Sequence, residues 1–231
     1  MERISIIIPC YNEEKNIKEC IKQIPAMDWE TEIIVVDDGS TDKTKDVIQS
    51  INDPRIRITG YARNHGKGYA IREGIRISTG SIIAIIDADY TSSPKIIPEA
   101  VNLIIEEKAD FVNGTRFIHP MEKGAMNTFH KLTNKITAFI ISLAIGQHLT
   151  DTLCGLKVFR KNMLTEEIKN SSWPDFNLIL GARKNNLKIA ELPVYYKARK
   201  YGISKMNSWY KITRDLLISL KQYMFSPQKS H

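Results

Sequence analysis

The chain has 231 residues, 42% of them apolar and 26% charged, and its 33 lysines and arginines outnumber 26 acidic residues for a formal charge of +7. This balance excludes a disordered or fibrous chain and supplies enough apolar side chain for one sizeable core. The basic excess favours anionic partners such as nucleotides, phosphorylated lipids or an acidic membrane surface, while the lack of a basic run with interleaved aromatics argues against nucleic acid. Three cysteines without CxxC spacing argue against a disulfide framework or a cysteine zinc site and fit a reducing, cytoplasmic setting. Met1-Glu2-Arg3 leads straight into an apolar segment, with no basic leader or cleavage signal. The longest apolar run, residues 138–145, is far shorter than the roughly 20 residues that span a bilayer.

In chain order, residues 4–8 form a β-rich run that stops at Pro9. Ile17, Cys20, Ile21 and Ile24 then fall on one helical face. Residues 32–36 predict a second strand ending at Asp37-Asp38-Gly39-Ser40, with Ser40 and Thr41 as caps for a helix that buries Val47, Ile48 and Ile51. A short strand over 55–59, a helix over 66–78 and an apolar strand over 81–86 follow, the last ending at Asp87; Pro94 opens another helix and residues 110–113 a fifth strand. The second half predicts a helix over 128–145, a loop and strand over 150–159, a helix over 176–184, a segment 188–192 that leads to Pro193-Val194-Tyr195-Tyr196, and a final helix over 209–224. No repeat or linker divides the chain. Continuous β-branched runs separated by helices imply an α/β fold with a mainly parallel, Rossmann-like sheet covered on both faces. Ligands of such sheets bind beyond the carboxyl ends of the strands. Three polar clusters sit at such ends: Pro9 to Glu13, Asp37 to Ser40 and Asp87 to Asp89.

Asp87 and Asp89 lie two residues apart at a strand tip and so point to the same side. Hard oxygen ligands in that arrangement suit Mg2+ or Mn2+ held jointly with a substrate diphosphate; the competing reading is a strand-end turn that caps the next helix. Asp37 and Asp38 admit a similar pair of readings, a capping turn or a carboxylate on a nucleoside base or ribose. Asn64-His65-Gly66-Lys67-Gly68 lacks the Walker spacing, but a glycine-rich helix start with Lys67 is suited to face a nucleotide. His119, His130 and His148 have no metal-ligand spacing and read as ordinary polar residues. Phe139, Ile140, Leu143 and Ala144 read as core, with membrane contact as the minority reading.

Pro9-Cys10-Tyr11-Asn12-Glu13, Val35-Val36-Asp37-Asp38-Gly39-Ser40-Thr41-Asp42, Asn64-His65-Gly66-Lys67-Gly68 and Asp87-Ala88-Asp89 resemble, in order and spacing, the inverting glycosyltransferases of family 2, which have the GT-A fold. Gly114-Thr115-Arg116-Phe117, the Asp151 to Phe159 segment, Glu191-Leu192-Pro193-Val194 and Arg199-Lys200-Tyr201-Gly202-Ile203-Ser204-Lys205 resemble the polyprenyl-phosphate, dolichyl-phosphate mannose synthase-like branch. The resemblance implies one GT-A domain over 1–231, with a nucleotide-sugar half (1–115) and an acceptor-side half or extension (116–231). It places Pro9, Tyr11, Glu13, Asp37 and Asp38 at the nucleoside, with Lys67 alongside, and Asp87 and Asp89 at ribose, metal and diphosphate. Arg116, Lys131, Arg199, Ser204 and Lys205 then hold phosphate oxygens of donor or acceptor. Lys131 stands where many relatives have arginine, and Thr91 where the branch often has glutamine.

The implied reaction is metal-dependent in-line transfer of a hexose from a GDP- or UDP-sugar to a polyprenyl or dolichyl phosphate, at the cytosolic membrane face. A soluble transferase acting on a glycan, glycolipid or metabolite and a non-catalytic nucleotide-sugar-binding module are the alternatives. A phosphate acceptor is ionised near neutral pH, whereas a hydroxyl needs a general base. Asp175 is the candidate base, with Asp151 behind it.

Overall fold

The β-branched runs become the inner strands of a seven-stranded sheet: β1 (Arg3–Cys10), β2 (Glu30–Asp38), β3 (Ile56–Tyr61), β4 (Ile82–Ile85), β5 (Phe111–Thr115), β6 (Lys157–Arg160) and β7 (Ile189–Pro193). The computed structural model describes residues 2–164, 174–202 and 209–225; Ser204 and Lys205 lie outside them. Strand order is β3-β2-β1-β4-β6-β5-β7. All pairings are parallel except the two made by β6, which runs antiparallel between β4 and β5.

Helices α1 (Ile17–Lys22), α2 (Thr44–Gln49) and α4 (Ile97–Ile105, entered through the turn Pro94–Ile96) cover one face of the sheet. Helices α3 (Lys67–Ile77), α5 (Thr128–Ile145), α7 (Pro174–Lys184) and α8 (Trp209–Phe225) cover the other, and α6 (Lys161–Leu164) is a single turn after β6. The two-residue period of a strand divides the core accordingly. Ile4, Ile6 and Ile8 of β1 face the first helical layer, while Ile7, with Ile34 and Val36 of β2, faces the second. Burial on both faces explains why these strands read as unbroken apolar runs.

Two local expectations are corrected. Ser40 and Thr41 do not cap α2; Asp42 accepts from Thr44 N and Oγ1 instead. Ser40 Oγ accepts from Asn12 N at 2.9 Å and Thr41 N donates to Asn12 Oδ1 at 2.8 Å, so these residues tie the end of β2 to the end of β1. On α5, Phe139 and Leu143 are not core but 65% and 68% exposed. The helix is apolar on more than one side, and its inward face uses Thr133, Thr137, Ala138, Ile141 and Ile145.

Glu32, buried in β2, accepts from Ser5 Oγ (2.6 Å), Thr79 N (2.6 Å) and Arg57 Nη1 (2.7 Å). Burial alone raises such a carboxyl, but these donors win and pull its pKa from 4.5 down to about 2. A depressed carboxylate contributes stability that is present above pH 4.5 and is lost as pH falls toward 2. Glu32→Gln is therefore expected to cost about 1–3 kcal/mol near neutral pH. Urea denaturation across that range should show the gap between the two proteins closing in acid; a constant gap rejects the assignment.

Candidate active site

Three strand ends converge on a cavity of about 700 Å³. Pro9 reaches it from the end of β1, Tyr11 and Glu13 from just beyond it, Asp38 from β2, and Asp87 and Asp89 from beyond β4. Lys67 enters from the first turn of α3, Met126 from just before α5, His130 from its first turn, and Gly155 from the loop before β6. After β7 the chain crosses the Asp87–Asp89 turn: Lys197 N donates to Thr91 O at 2.8 Å, and Ser92 bridges Tyr196. That crossing delivers Tyr196 and Arg199 to the cavity wall.

Gly66 has φ +97°, a region open to glycine, and precedes α3. The N–H groups of His65 and Gly66 donate to the two oxygens of Asp38 at 2.8 and 2.9 Å, so Asp38 fastens the phosphate-loop-like segment to β2. Asp37, expected at the nucleoside, accepts from Ser40 N at 3.1 Å and does not line the cavity. Adjacent strand residues point to opposite faces, so only one carboxylate of the pair reaches the opening. The other closes the turn.

Charges alternate along the floor. Lys67 Nζ lies 2.8 Å from Asp87 and 3.5 Å from Asp175, and Asp175 accepts from Lys157 Nζ at 3.0 Å. Burial alone would raise the carboxyl of Asp175, but Lys67 and Lys157 hold it below the usual range. Burial opposes the charge on Lys67 too, and Asp175 and Asp87 outweigh it, raising its pKa. Asp175, the expected base, is thus held between Lys67 and Lys157 and does not line the cavity. On the other side, Arg199 Nη2 spans Glu13 (2.8 Å) and Asp89 (3.1 Å), and Asp89 also accepts from Thr91 N and Oγ1.

Arg116, in the cavity wall, is committed to Asp151 through Nε at 2.6 Å and Nη2 at 2.9 Å, with the Tyr196 ring 5.0 Å from the guanidinium. Asp151 is fully buried and also accepts from Asn134 Nδ2 and Leu153 N. Burial works against it, yet Arg116 holds its carboxyl below the usual range. It too is held in an ion pair and does not line the cavity. Lys131 is exposed on α5 and does not line the cavity, because it follows His130 on the same turn and projects from a different side of the helix.

Sequence reasoning gave no role to Gly155, Tyr196 or His130. Gly155 had a readable setting, the Asp151 to Phe159 segment, but its reason is spatial: a Cβ there falls 2.2 Å from Asp87 Oδ2. Among the described residues, no group of three or more His, Cys, Asp and Glu side chains forms a self-sufficient metal site. Asp87 and Asp89 offer hard oxygens that fit Mg2+ or Mn2+ only where a ligand such as diphosphate completes the coordination. The neighbouring Lys67 and Arg199 suit the phosphate oxygens of that same ligand.

The sequence profile of Glycosyl transferase family 2 matches residues 5–167. A relative from Methanococcus voltae, UDP-N-acetylglucosamine–dolichyl-phosphate N-acetylglucosaminyltransferase, is 29% identical over 223 residues, covering 87% of this chain and 88% of its own length. The undecaprenyl-phosphate 4-deoxy-4-formamido-L-arabinose transferase of Photorhabdus laumondii is 31% identical over 212 residues, covering 89% of this chain; the chain spans 63% of that relative. Among solved structures, glucosyl-3-phosphoglycerate synthase from Mycobacterium tuberculosis, with Mn2+ and UDP-glucose, superposes with a TM-score of 0.73 at 21% identity, covering 98% of this chain and 80% of that one.

Proposed function

Because the chain belongs to glycosyl transferase family 2, we propose that this cavity transfers a sugar from a nucleoside diphosphate donor to a polyprenyl phosphate at the cytosolic membrane face. The observation that carries the reading is the row of alternating charges, Lys67–Asp87 beside Asp89–Arg199–Glu13, at the strand ends. A metal–diphosphate group carries both signs and can exchange partners with both ion pairs. Asp87 and Asp89 would hold Mg2+ or Mn2+, whose chemistry is to neutralise the departing diphosphate. Lys67 and Arg199 turn from carboxylate to phosphate oxygens and stabilise the charge that develops on the leaving group. Pro9, Tyr11 and Asp38 bound the nucleoside end.

Asp175 and Asp151 are both locked in buried ion pairs, which leaves neither as base for a hydroxyl acceptor. A phosphate acceptor needs none, since it attacks the anomeric carbon already ionised. The relatives named for dolichyl- and undecaprenyl-phosphate transfer support that acceptor class, and UDP in the names of a relative and a structural neighbour makes UDP-sugars the first donors to test.

Purified protein, Mn2+ or Mg2+, a panel of UDP- and GDP-sugars and a short-chain polyprenyl phosphate test the proposal, with product expected only when donor, metal and acceptor are together. Transfer to a glycan or metabolite but not to the lipid phosphate rejects the acceptor; no turnover anywhere rejects catalysis. Gly155→Ala drives a methyl into the Asp87 carboxylate and is expected to weaken donor binding by roughly tenfold. Calorimetric titration with UDP checks this; unchanged affinity removes Asp87 from the donor site.

A further inference from the structure

Lys157 is a buried cation to which the proposed chemistry gives no task. It lies in β6 beside Val158 and Phe159, both core residues, and is itself fully buried. It shares a face of the strand with Phe159, toward the layer that holds α3 and α7. Its ammonium donates to the carbonyl of Cys154 and to Asp175 Oδ1, the latter at 3.0 Å. Asp175 stands in the first turn of α7, and its other oxygen lies 3.5 Å from Lys67 Nζ. Both carboxylate oxygens are thus engaged, and turning the group breaks one pair or the other. The side chains of Lys157 and Asp175 are 1% and 4% exposed, against 23% for Lys67 and 34% for Asp87. The inner pair is sealed from water, and the outer pair meets the cavity.

Stability does not call for such a pair. Well-packed apolar residues in place of a buried ion pair are often neutral or stabilising. Position 157, paired with Ile85 of β4 and Asn113 of β5, lies in a strand whose next two residues are apolar. The pair does, however, reach Lys67. That lysine has two acidic partners, and the nearer, Asp87 at 2.8 Å, is the one the donor's cation claims. Asp175 is then the counter-charge that remains. We propose that Lys157 and Asp175 are positioning residues, which hold Lys67 at the diphosphate once the metal–nucleotide complex has taken Asp87. An ammonium has three donors, so Lys67 can stay anchored on Asp175 while it turns its other hydrogens to phosphate oxygens. Lys157 keeps that anchor in place. Neither residue lines the cavity, so both act through Lys67. The proposal rests on the reading of the cavity as a nucleoside diphosphate site.

Calorimetric titration with UDP and Mn2+, and with GDP and Mn2+ in a parallel arm, tests this without an acceptor. Lys157→Met/Asp175→Leu removes both buried charges and is expected to keep the fold, which circular dichroism checks. It should weaken nucleotide binding by roughly tenfold, and Lys67→Ala should weaken it at least as much. The triple variant should bind no more weakly than Lys67→Ala, because residues that act through one another are not additive. Losses that multiply in the triple variant assign the pair to general structure and overturn the proposal. Wild-type affinity in the double variant overturns it too, as does a wild type that binds neither nucleotide. Should the double variant fail to fold, Asp175→Asn, which keeps the shape without the charge, enters the same cycle with Lys67→Ala. Loss of the fold in both makes the pair structural and overturns the proposal. Coupled binding losses in a protein that transfers no sugar keep the positioning role and reject the transferase reading instead.

Discussion

Asp89→Ala is expected to lower kcat/KM for sugar transfer by roughly 10²–10³-fold or more while leaving a folded protein. The carboxylate accepts from Thr91 on one oxygen and Arg199 on the other, and its side chain is partly exposed. Ion pairs open to solvent contribute only about 0–1 kcal/mol, and Arg199 keeps Glu13 as a partner at 2.8 Å when Asp89 is removed. The fold therefore loses little. The donor loses more: one of two oxygen ligands for the cation goes, and Arg199 is left to Glu13 alone. Circular dichroism and thermal melting should match the wild type while the transfer assay fails across the metal series. Full activity in the variant sinks the assignment of a cation to this turn. Loss of activity together with unfolding points to a structural role.

The frame of the fold was legible because parallel strands buried on both faces need unbroken apolar runs. Residues 4–8, 32–36 and 81–86 have them, and each strand's polar end marks the cavity rim. The placement of β6 was not legible. Its four residues read as a strand, but nothing local says that Lys157–Arg160 inserts antiparallel between β4 and β5. Pairing direction depends on how α5 and the loop before β6 return the chain, which is a tertiary matter. The outward face of α5 was misread for a related reason: helical periodicity reveals an apolar stripe but not which of two stripes meets the core. Thr133 and Thr137, small enough for close packing, took the inside.

At the site, residue types were easier to read than partners. Pro9, Tyr11, Glu13, Asp38, Lys67, Asp87, Asp89, Arg116 and Arg199 all line the cavity, and each was picked out by a motif at a strand end, a helix start or the Arg199 segment. Asp37 and Asp175 show the limit. A carboxylate in a motif is chemically able to bind a ligand, but whether it does depends on which donor reaches it first. Ser40 N reaches Asp37, and Lys157 and Lys67 reach Asp175. Ser40 lies within the same motif as Asp37 and belongs to the capping-turn reading, whereas Lys67 lies 108 residues from Asp175 along the chain, beyond any local pattern.

Asp151→Ala is expected to produce the largest loss of stability. The residue is buried and receives the backbone N–H and two guanidinium nitrogens of Arg116, the amide of Asn134 and Leu153 N. Removing one member of a buried pair strands the other charge, a cost of about 3–5 kcal/mol, and Arg116 is only 4% exposed. For a chain of this size that lowers Tm by roughly 6–20 °C. The double replacement Arg116→Met/Asp151→Leu removes both charges and is expected to recover much of the loss, since well-packed apolar groups often substitute for buried ion pairs. Its activity then separates two roles for Arg116. If the double variant folds but transfers no sugar while still binding UDP, Arg116 serves the acceptor phosphate or the transition state through its cavity-facing side. If it transfers at the wild-type rate, Arg116 is a strut for the loop before β6, and the phosphate sites are Lys67 and Arg199 alone. A double variant no more stable than Asp151→Ala contradicts the premise that stranded charge causes the loss.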